Sequence, residues 1–339
     1  MQQPKADWSQ LPKELLHQIS ERLDSPLYLL RFRSVCSWWR SSSTPLFPLH
    51  KASSYFLSKC TIFLIMPPPH HPIQTPILVQ IGQDRRGRLL LSNPLSCSPS
   101  FPIYCSRVLD LYNLPVIDLG NVFVLHRSPP AHRPCHRYSI VMTKVAAAIT
   151  VSCQGKQEVS ILLMVHQSQN KLTYFRFSEG CWTITPEEFP PYDDVCVFNG
   201  RPCAVHFAGR TVAVGSGPDL DLVAKPVLGK NRKFLVESEG SLLLVHKRRI
   251  FTYQVFRLDE KERSWVEVKS LGDRVLFLGD LCTFSASASD LRVDRGNCVV
   301  FEDSNMKGGV GVFPLDVGQA SPLSDHPDYS RLFDYNRLF

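Results

Sequence analysis

Residues Leu11 to Arg40 read LPKELLHQISERLDSPLYLLRFRSVCSWWR, the most regular pattern in the chain. In its first half, apolar residues recur every three or four positions with charged and polar residues between them, which predicts an amphipathic helix. Pro12 suits the first turn of that helix, because no backbone donor is missed there. The apolar positions are Leu11, Leu15, Leu16, Ile19 and Leu23.

Two further helical segments follow. Ser25 is a suitable N-cap, Pro26 suits the first helical position, and Leu27 and Leu30 share a stripe. A short third segment runs over 35–41 and carries two tryptophans. Such a small unit buries only a marginal core, so its surplus leucines indicate a partner or a neighbouring domain. On spacing alone, a docking module and an ordinary helical cap on the next domain fit equally well.

The same stretch resembles an F-box, the helical motif by which a receptor binds a Skp-type adaptor. The shared features are the leucine-proline start, the paired leucines and the closing run of arginine, valine, cysteine, tryptophan and arginine. The resemblance implies that the adaptor-binding residues are Leu11, Pro12, Leu15, Leu16, Ile19, Leu23, Leu27, Leu30, Val35, Cys36 and Trp39.

The composition of the 339 residues is that of a globular protein, with 44% hydrophobic and 20% charged residues. The 26 prolines and the many short apolar runs favour strands and turns after the N-terminus. The longest aliphatic run, 61–66, is far too short to cross a bilayer. The 11 cysteines are scattered without a CxxC pair, and no secretory segment opens the chain. These features predict reduced thiols and residence in the nucleus, the cytoplasm or both.

Positive charge is concentrated between residues 67 and 150, and the whole chain carries a net charge of +7. Such a tract suits phosphate groups or an acidic protein. No nucleic-acid-binding motif accompanies it, so a solvated or acidic-protein-facing surface is favoured over nucleic acid. The basic residues of the tract are Arg85, Arg86, Arg88, Arg107, Arg127, Arg133, Arg137 and Lys144.

Short strand-like runs separated by turn residues fill the chain from Tyr55 onwards, which predicts a closed or radial all-β architecture. A weak internal repeat adds to this prediction: FRFSEGCW begins at Phe175 and FRLDEKERSW at Phe256. This spacing of about two blades favours a β-propeller over a barrel or a double sandwich.

The β-rich part of the chain is similar to the C-terminal KIB-type domain of a group of plant F-box proteins, so that with the F-box the resemblance covers nearly the whole chain. The similarity is carried by DLGNVFVL, DDVCVFNGRPCAVHFAGRTVAVG, FLVESEGSLLLVHKRR, GNCVVFED and VGVFPLD. It implies a mainly β protein: a small N-terminal three-helix F-box followed by a β-propeller-like domain with kelch-like blades. We predict an F-box over 1–46, a linker over 47–54 and a substrate-recognition domain over 55–339. The terminus RLFDYNRLF departs from the family pattern and predicts a different closing strand.

Several residue groups imitate catalytic or metal sites. Adjacent aspartates in a strand point to opposite faces, so we predict that Asp193 and Asp194 cap a turn. His132, Cys135 and His136 lack the second ligand pair of a structural zinc site. Cys153, Cys181 and Cys196 are interpreted as small buried hydrophobes, and Trp182 and Trp265 as blade-packing residues. We therefore expect no catalytic set, metal or cofactor.

The sequence favours a non-enzymatic substrate receptor of an SCF-type ubiquitin ligase. In this hypothesis the helices bind a Skp-type adaptor, which connects to cullin and RING subunits, and the propeller binds an unknown target for ubiquitination and degradation. Two alternatives stay open. One is a propeller scaffold that binds partners without promoting degradation, and the other is an enzyme or ligand-binding propeller. No membrane partner is expected.

Overall fold

The fold begins with a small helical module. The computed structural model describes residues 7–23, 26–43, 50–52, 55–67, 75–83, 89–96, 115–127, 139–151, 157–166, 171–184, 191–215, 220–227, 229 and 231–338. A short 3-10 helix, Trp8–Gln10, precedes α1 (Lys13–Glu21), α2 (Pro26–Ser34) and α3 (Ser37–Ser42). These three helices confirm the helical segments predicted from the spacing of the leucines.

Two tryptophans of α3 hold the module together. The indole nitrogen of Trp38 donates to the carbonyl of Leu11 at 3.0 Å, and that of Trp39 donates to the carbonyl of Trp8 at 3.0 Å. Cys36 is the N-cap of α3, where its sulfur accepts from the Trp39 amide. The half-buried indole of Trp39 needs such an acceptor, whereas Trp38 makes its bond at an exposed position. The last helix is therefore bound to the segment that leads into the first.

The first and largest sheet has nine strands, of which the first pairs only with the second. Its hydrogen-bonded order along the main path is β4-β3-β2-β5-β6-β7-β8-β9. The strands are β1 (His50–Ala52), β2 (Tyr55–Ile65), β3 (Ile77–Gln83), β4 (Leu89–Ser92), β5 (Val116–Arg127), β6 (Ser139–Val151), β7 (Gln157–His166), β8 (Lys171–Arg176) and β9 (Cys181–Ile184).

The second and third sheets are four-stranded antiparallel meanders, the unit predicted for propeller blades. The second consists of β10 (Tyr192–Phe198), β11 (Arg201–His206), β12 (Thr211–Val214) and β13 (Leu220–Ala224). The third consists of β14 (Lys233–Ser238), β15 (Ser241–Arg249), β16 (Thr252–Asp259) and β17 (Ser264–Val268).

The fourth sheet has the order β19-β18-β20-β21-β22, with β18 and β20 parallel. A one-turn helix, α4, connects β19 to β20 and ends at Arg292 in the left-handed conformation. The elements are β18 (Arg274–Leu278), β19 (Thr283–Ser287), α4 (Ala288–Leu291), β20 (Cys298–Glu302), β21 (Val310–Pro314) and β22 (Ser321–Pro322).

The sheets close into a ring. Strand β10 lies beside β6 and β14, β14 lies beside β19, and β19 returns to β5. Buried clusters fill each junction between neighbouring sheets, including the junction of the fourth sheet with the first. A further cluster joins Leu57 and Leu125 to Phe175 within the first sheet, so that sheet bends on itself. This ring of sheets confirms the predicted mainly β, propeller-like fold class.

The C-terminus is helical, and the predicted closing strand is wrong. After β22 the chain forms a 3-10 turn, α5 (Pro327–Arg331) and a second 3-10 turn, Tyr335–Leu338. Leu78 of β3 donates its amide to the carbonyl of Leu332 at 2.8 Å and accepts from the Tyr335 hydroxyl at 3.1 Å. Tyr329 and Leu332 are buried between the first and fourth sheets. The terminus therefore closes the ring through packing and hydrogen bonds.

The two aspartates of β10 do not cap a turn, which corrects the prediction. A β-bulge between Tyr192 and Asp194 removes the regular alternation of side chains. The carboxylate of Asp193 accepts from the Lys233 amide at 3.0 Å, and that of Asp194 accepts from the Leu235 amide at 2.8 Å. Both carboxylates therefore join β10 to β14 in the next sheet.

The repeated motif lies in the final hairpin of the first and third sheets, but the tryptophan pairs with the first residue of the motif in one and with its third residue in the other. Phe175 pairs with Trp182 across β8 and β9, and Leu258 pairs with Trp265 across β16 and β17. Both tryptophans pack against buried clusters, which confirms their blade-packing role.

Cys181 is exposed, so the prediction that it is buried is wrong. Strand β9 is at one edge of its sheet, so no further strand of the described residues pairs beyond it.

The boundaries 1–46, 47–54 and 55–339 stay a prediction. The short strand β1 lies inside the range predicted to be the linker, and it pairs with β2. No helix in the described part of the chain is both long and apolar enough to span a membrane.

Candidate docking surface and central cavity

Helix α1 has one buried and one exposed apolar row. Leu16 is completely buried in the helical module. Leu15 and Ile19, one helical turn apart, are 46% and 41% exposed. Adjacent positions on a helix point in directions about 100° apart, so the paired leucines of the motif have different environments. Leu16 is therefore a core position, whereas Leu15 faces solvent.

Helix α2 rests on the first sheet of the propeller. Leu29 is buried against Phe63 and Ile65 of β2 and the neighbouring strand β3, while Leu27 and Leu30 pack around it. Leu23, at the end of the first helix, joins the same cluster. The surplus leucines of the sequence pattern are therefore covered, at least in part, by the chain's own sheet.

The structure divides the eleven predicted adaptor-binding residues by position. Leu16, Leu23, Leu27 and Leu30 face the interior of the module or the first sheet. Leu11, Cys36 and Trp39 are half-buried. Pro12, Leu15, Ile19 and Val35 are exposed. An adaptor role for any of them stays a prediction, but only the exposed and half-buried residues can meet a partner without rearrangement of the helices.

Two exposed aromatic residues enlarge the apolar surface and were missed by the sequence reasoning. Trp8 is 67% exposed and Trp38 is 45% exposed. The hydrogen bond from Trp38 to the Leu11 carbonyl places this indole one turn before Leu15. Spacing did not distinguish Trp38 from Trp39, because only the packing of α3 decides which ring is covered. We define the docking surface as Leu15, Ile19, Val35 and Trp38.

A cavity of about 680 Å³ occupies the centre of the ring. It is lined by the inner strands β5, β6, β10, β14 and β19, and its wall contains both apolar and charged side chains. Arg274 lies 3.4 Å from Glu239 and donates to the Ser285 hydroxyl at 2.7 Å. The ionisable residues of the lining are Asp118, Lys144, Glu237, Glu239, Arg274 and Asp290.

One hydrogen-bond network joins all four sheets beside this cavity. The Lys144 ammonium on β6 donates to Asp194 on β10 and to the Thr283 hydroxyl on β19, each at 2.8 Å. The same oxygen of Asp194 accepts from the Leu235 amide on β14. The Thr283 hydroxyl also donates to the Leu235 carbonyl. Lys144 is one of the residues of the predicted basic tract. In the structure its charge is paired with Asp194 inside the protein.

The thiols around the cavity have poor nucleophilic character. Burial raises the pKa of Cys282 to about 12 and raises that of Cys196 well above its usual range. Thiolates, and not thiols, attack electrophiles. Among the described residues no three histidine, cysteine or acidic side chains cluster as metal ligands. His132, Cys135 and His136 lie outside the described residues.

The geometry defines a class of protein: a three-helix module packed on one sheet of a propeller-like ring. Comparison with known proteins agrees with this class. A family model described as KIB1-4 beta-propeller matches residues 46–314. The chain belongs to the KIB1-4 beta-propeller family.

Similar proteins carry F-box names. The chain is 35% identical to F-box protein SKIP23 of Arabidopsis thaliana, covering 96% of this chain and 94% of that protein. It is 30% identical to F-box protein At2g17036 of the same plant, covering 96% and 93%. The predicted resemblance to plant F-box proteins with a KIB-type propeller is confirmed. The names of these relatives support an adaptor-type, non-catalytic role in general. Among solved structures, TolB from Acinetobacter baumannii aligns with 10% identity over 77% of this chain and 62% of TolB, at a TM-score of 0.30.

Proposed function

We propose that this chain is the substrate-recognition subunit of an SCF-type E3 ubiquitin ligase. In this proposal the docking surface binds a Skp-type adaptor, which connects to cullin and RING subunits. The propeller binds a target protein for ubiquitination and degradation. The observation that carries the proposal is the split of the helical module: Leu29 packs on the first sheet while Leu15 and Ile19 remain exposed. An exposed apolar surface of this kind suits a partner helix or groove.

The attachment of the module gives the proposed receptor its mechanism. Catalysis belongs to other subunits, and this chain contributes proximity by raising the effective concentration of target lysines near the ubiquitin donor. Orientation also matters, because a loosely joined target explores many unproductive positions. The packing of α2 against β2 and β3 restricts the helices relative to the propeller, so the docked target has a defined position.

The adaptor contact is tested by the double variant Leu15→Asp with Ile19→Asp. Both side chains are exposed, so the variant should stay folded while charges at the interface reduce co-purification with a Skp-type adaptor by more than about tenfold. The matched control is Val266→Asp with Val317→Asp, which places two charges at exposed propeller positions. Full adaptor binding by the first variant would contradict the proposal.

The ligase activity needs a separate measurement. A protein that binds the propeller should carry ubiquitin chains in the presence of the wild-type receptor and should live longer when the Leu15→Asp with Ile19→Asp variant replaces it. A bound protein with unchanged ubiquitination and lifetime would favour a non-degradative scaffold. We also propose that the chain works in the nucleus, the cytoplasm or both, which imaging of a fluorescent fusion tests.

A further inference from the structure

The turn between β15 and β16 presents a basic and apolar tip. Arg249 pairs with Thr252, and a bulge at Arg248 interrupts the register before the turn. Ile250 and Phe251 form the turn itself. Arg248 and Arg249 are exposed, and Ile250 is 75% exposed, the highest value among the large hydrophobic residues of the described chain. Bulges commonly redirect side chains at such places.

The tip is held in a defined shape. Phe251 adopts a φ of 59°, a left-handed conformation that is rare for a bulky side chain. Its ring stacks on Phe301 of β20 with a centroid distance of 5.9 Å. The Asn231 side chain donates to the Arg248 carbonyl from the opposite side. Ile250 therefore projects from an anchored turn.

The acidic residues close to the tip already have partners. Asp303 lies 2.6 Å from Lys247, and Asp280 lies 3.2 Å from Arg232. Within the described ranges, neither Arg248 nor Arg249 makes a side-chain ion pair. The tip therefore carries two positive charges that the surrounding protein does not neutralise.

Two buried ionisable groups, Lys233 and His246, lie beside the strands that lead to the tip. Lys233 is completely buried, and its ammonium donates to the carbonyls of Phe207, Gly229 and Asn231. Burial, followed by the charges of Lys233 and Arg248, lowers the pKa of His246 to about 4. His246 is therefore neutral at pH 7 and adds no charge of its own to the tip.

We propose that this basic tip, Arg248, Arg249 and Ile250, docks an acidic segment of a target protein that places an apolar side chain on Ile250. The inference rests on the proposed function, because it names the chemistry of the target that the propeller would hold. Unpaired guanidinium groups favour carboxylates, which they bind in bidentate geometry. An acidic protein segment fits better than nucleic acid, because the centre of the tip is aliphatic and the ring of Phe251 packs inward on Phe301.

The test measures binding of fluorescent probes to the purified full-length chain by anisotropy. The probe is a glutamate-rich peptide with two central leucines; a peptide with glutamine in place of glutamate and a single-stranded RNA of the same length serve for comparison. Arg248→Glu with Arg249→Glu should weaken acidic-peptide binding by about tenfold or more. The matched control, Lys261→Glu with Lys269→Glu, makes the same change in net charge at exposed positions of the same sheet.

We expect the wild-type chain to bind the acidic peptide with an affinity that declines with added salt. The glutamine peptide should not bind. The control variant should bind the acidic peptide as wild type does. Ile250→Ser should weaken binding of the leucine-containing peptide and leave binding of an all-glutamate peptide unchanged. Equal losses in both charge variants, or tighter binding of the RNA, would overturn the inference. Adaptor co-purification is measured on the same proteins, so failure of the adaptor contact is recognised separately from failure of the tip.

Discussion

Lys144 and Asp194 form an ion pair of 2.8 Å beside the central cavity, and this pair joins strands from different sheets of the ring. Their side chains are only 12% and 5% exposed. Through Leu235 and Thr283 the same network reaches the two remaining sheets. The ring is thus held at its centre by polar groups as well as by the apolar clusters between sheets.

Removal of one partner should therefore destabilise the whole propeller. Asp194→Ala leaves the Lys144 ammonium buried without its carboxylate, which should lower the free energy of unfolding by about 3–5 kcal/mol. Urea denaturation followed by circular dichroism measures this change. The control is Asp221→Ala, which breaks the exposed pair with Arg201 and should cost about 1 kcal/mol or less. Similar costs for the two variants would contradict the role of the central network.

Substitutions of the adjacent leucines of α1, Leu15 and Leu16, should differ in their effect on stability. Leu16→Ala removes a completely buried side chain and should lower the stability of the helical module by about 2–5 kcal/mol. Leu15→Ala changes an exposed position and should stay within about 0.5–1 kcal/mol of wild type. Denaturation of the two variants under identical conditions provides the comparison. If Leu15→Ala were the more damaging substitution, the assigned orientation of α1 would be wrong.

The contact of α2 with the first sheet makes a similar prediction. Leu29→Ala should cost about 2–5 kcal/mol, because Leu29 fills the space between the helix and strands β2 and β3. Its neighbour Tyr28 is 57% exposed, so Tyr28→Ala is the matched control with a small expected effect. Thermal unfolding distinguishes the two. Equal stability of both variants would show that the module does not rest on the sheet.

Deletion of residues 1–46 should also expose the apolar face that includes Phe63 and Ile65. The truncated protein should then bind an apolar fluorescent dye more strongly than the full chain does. Dye binding no greater than that of the full chain would contradict this prediction. For this reason, point variants of the docking surface are better tools than a deletion for trapping targets.

His246 should contribute to the pH dependence of stability. Its pKa in the folded protein is about 4, below the ordinary value of 6.5, so the unfolded chain binds the proton more strongly. The contribution of His246 is therefore complete above pH 6.5 and is lost as the pH falls towards 4.

His246→Leu should remove this contribution to the pH dependence. From pH 7 to pH 4.5, the free energy of unfolding of the variant should fall by about 2–3 kcal/mol less than that of wild type. Urea titrations at the two pH values measure the difference. A wild-type pH dependence in His246→Leu would contradict the assignment.

Local patterns explain why much of the fold was predictable. The spacing of the leucines in α1 and α2 and the alternation of strands and turns depend on neighbours along the chain, and both appear in the structure. The repeated Phe-Arg motif also predicted correctly where Trp182 and Trp265 pack. The docking surface was only partly predictable, since Trp38 carries no spacing signal.

Two of the failed predictions involve contacts between distant parts of the chain. A bulge directs Asp193 and Asp194 towards β14, although an ideal strand would separate them. The terminus near Tyr335 forms helical turns, because its side chains reach β3 more than two hundred residues earlier. Neither bulges nor such long-range contacts leave a periodic signal in one sequence.

The sequence by itself determined the three-helix module, the succession of short strands and the family resemblance, because these depend on local propensity and periodic burial. Only the tertiary structure decided which leucines remain exposed. Leu29 is covered by Phe63 of a distant strand, while Leu15 stays 46% exposed. The same holds for the basic tip around Ile250, whose projection depends on packing of Phe251 against Phe301. Burial is a property of the folded chain, and the surfaces available for partners follow from it.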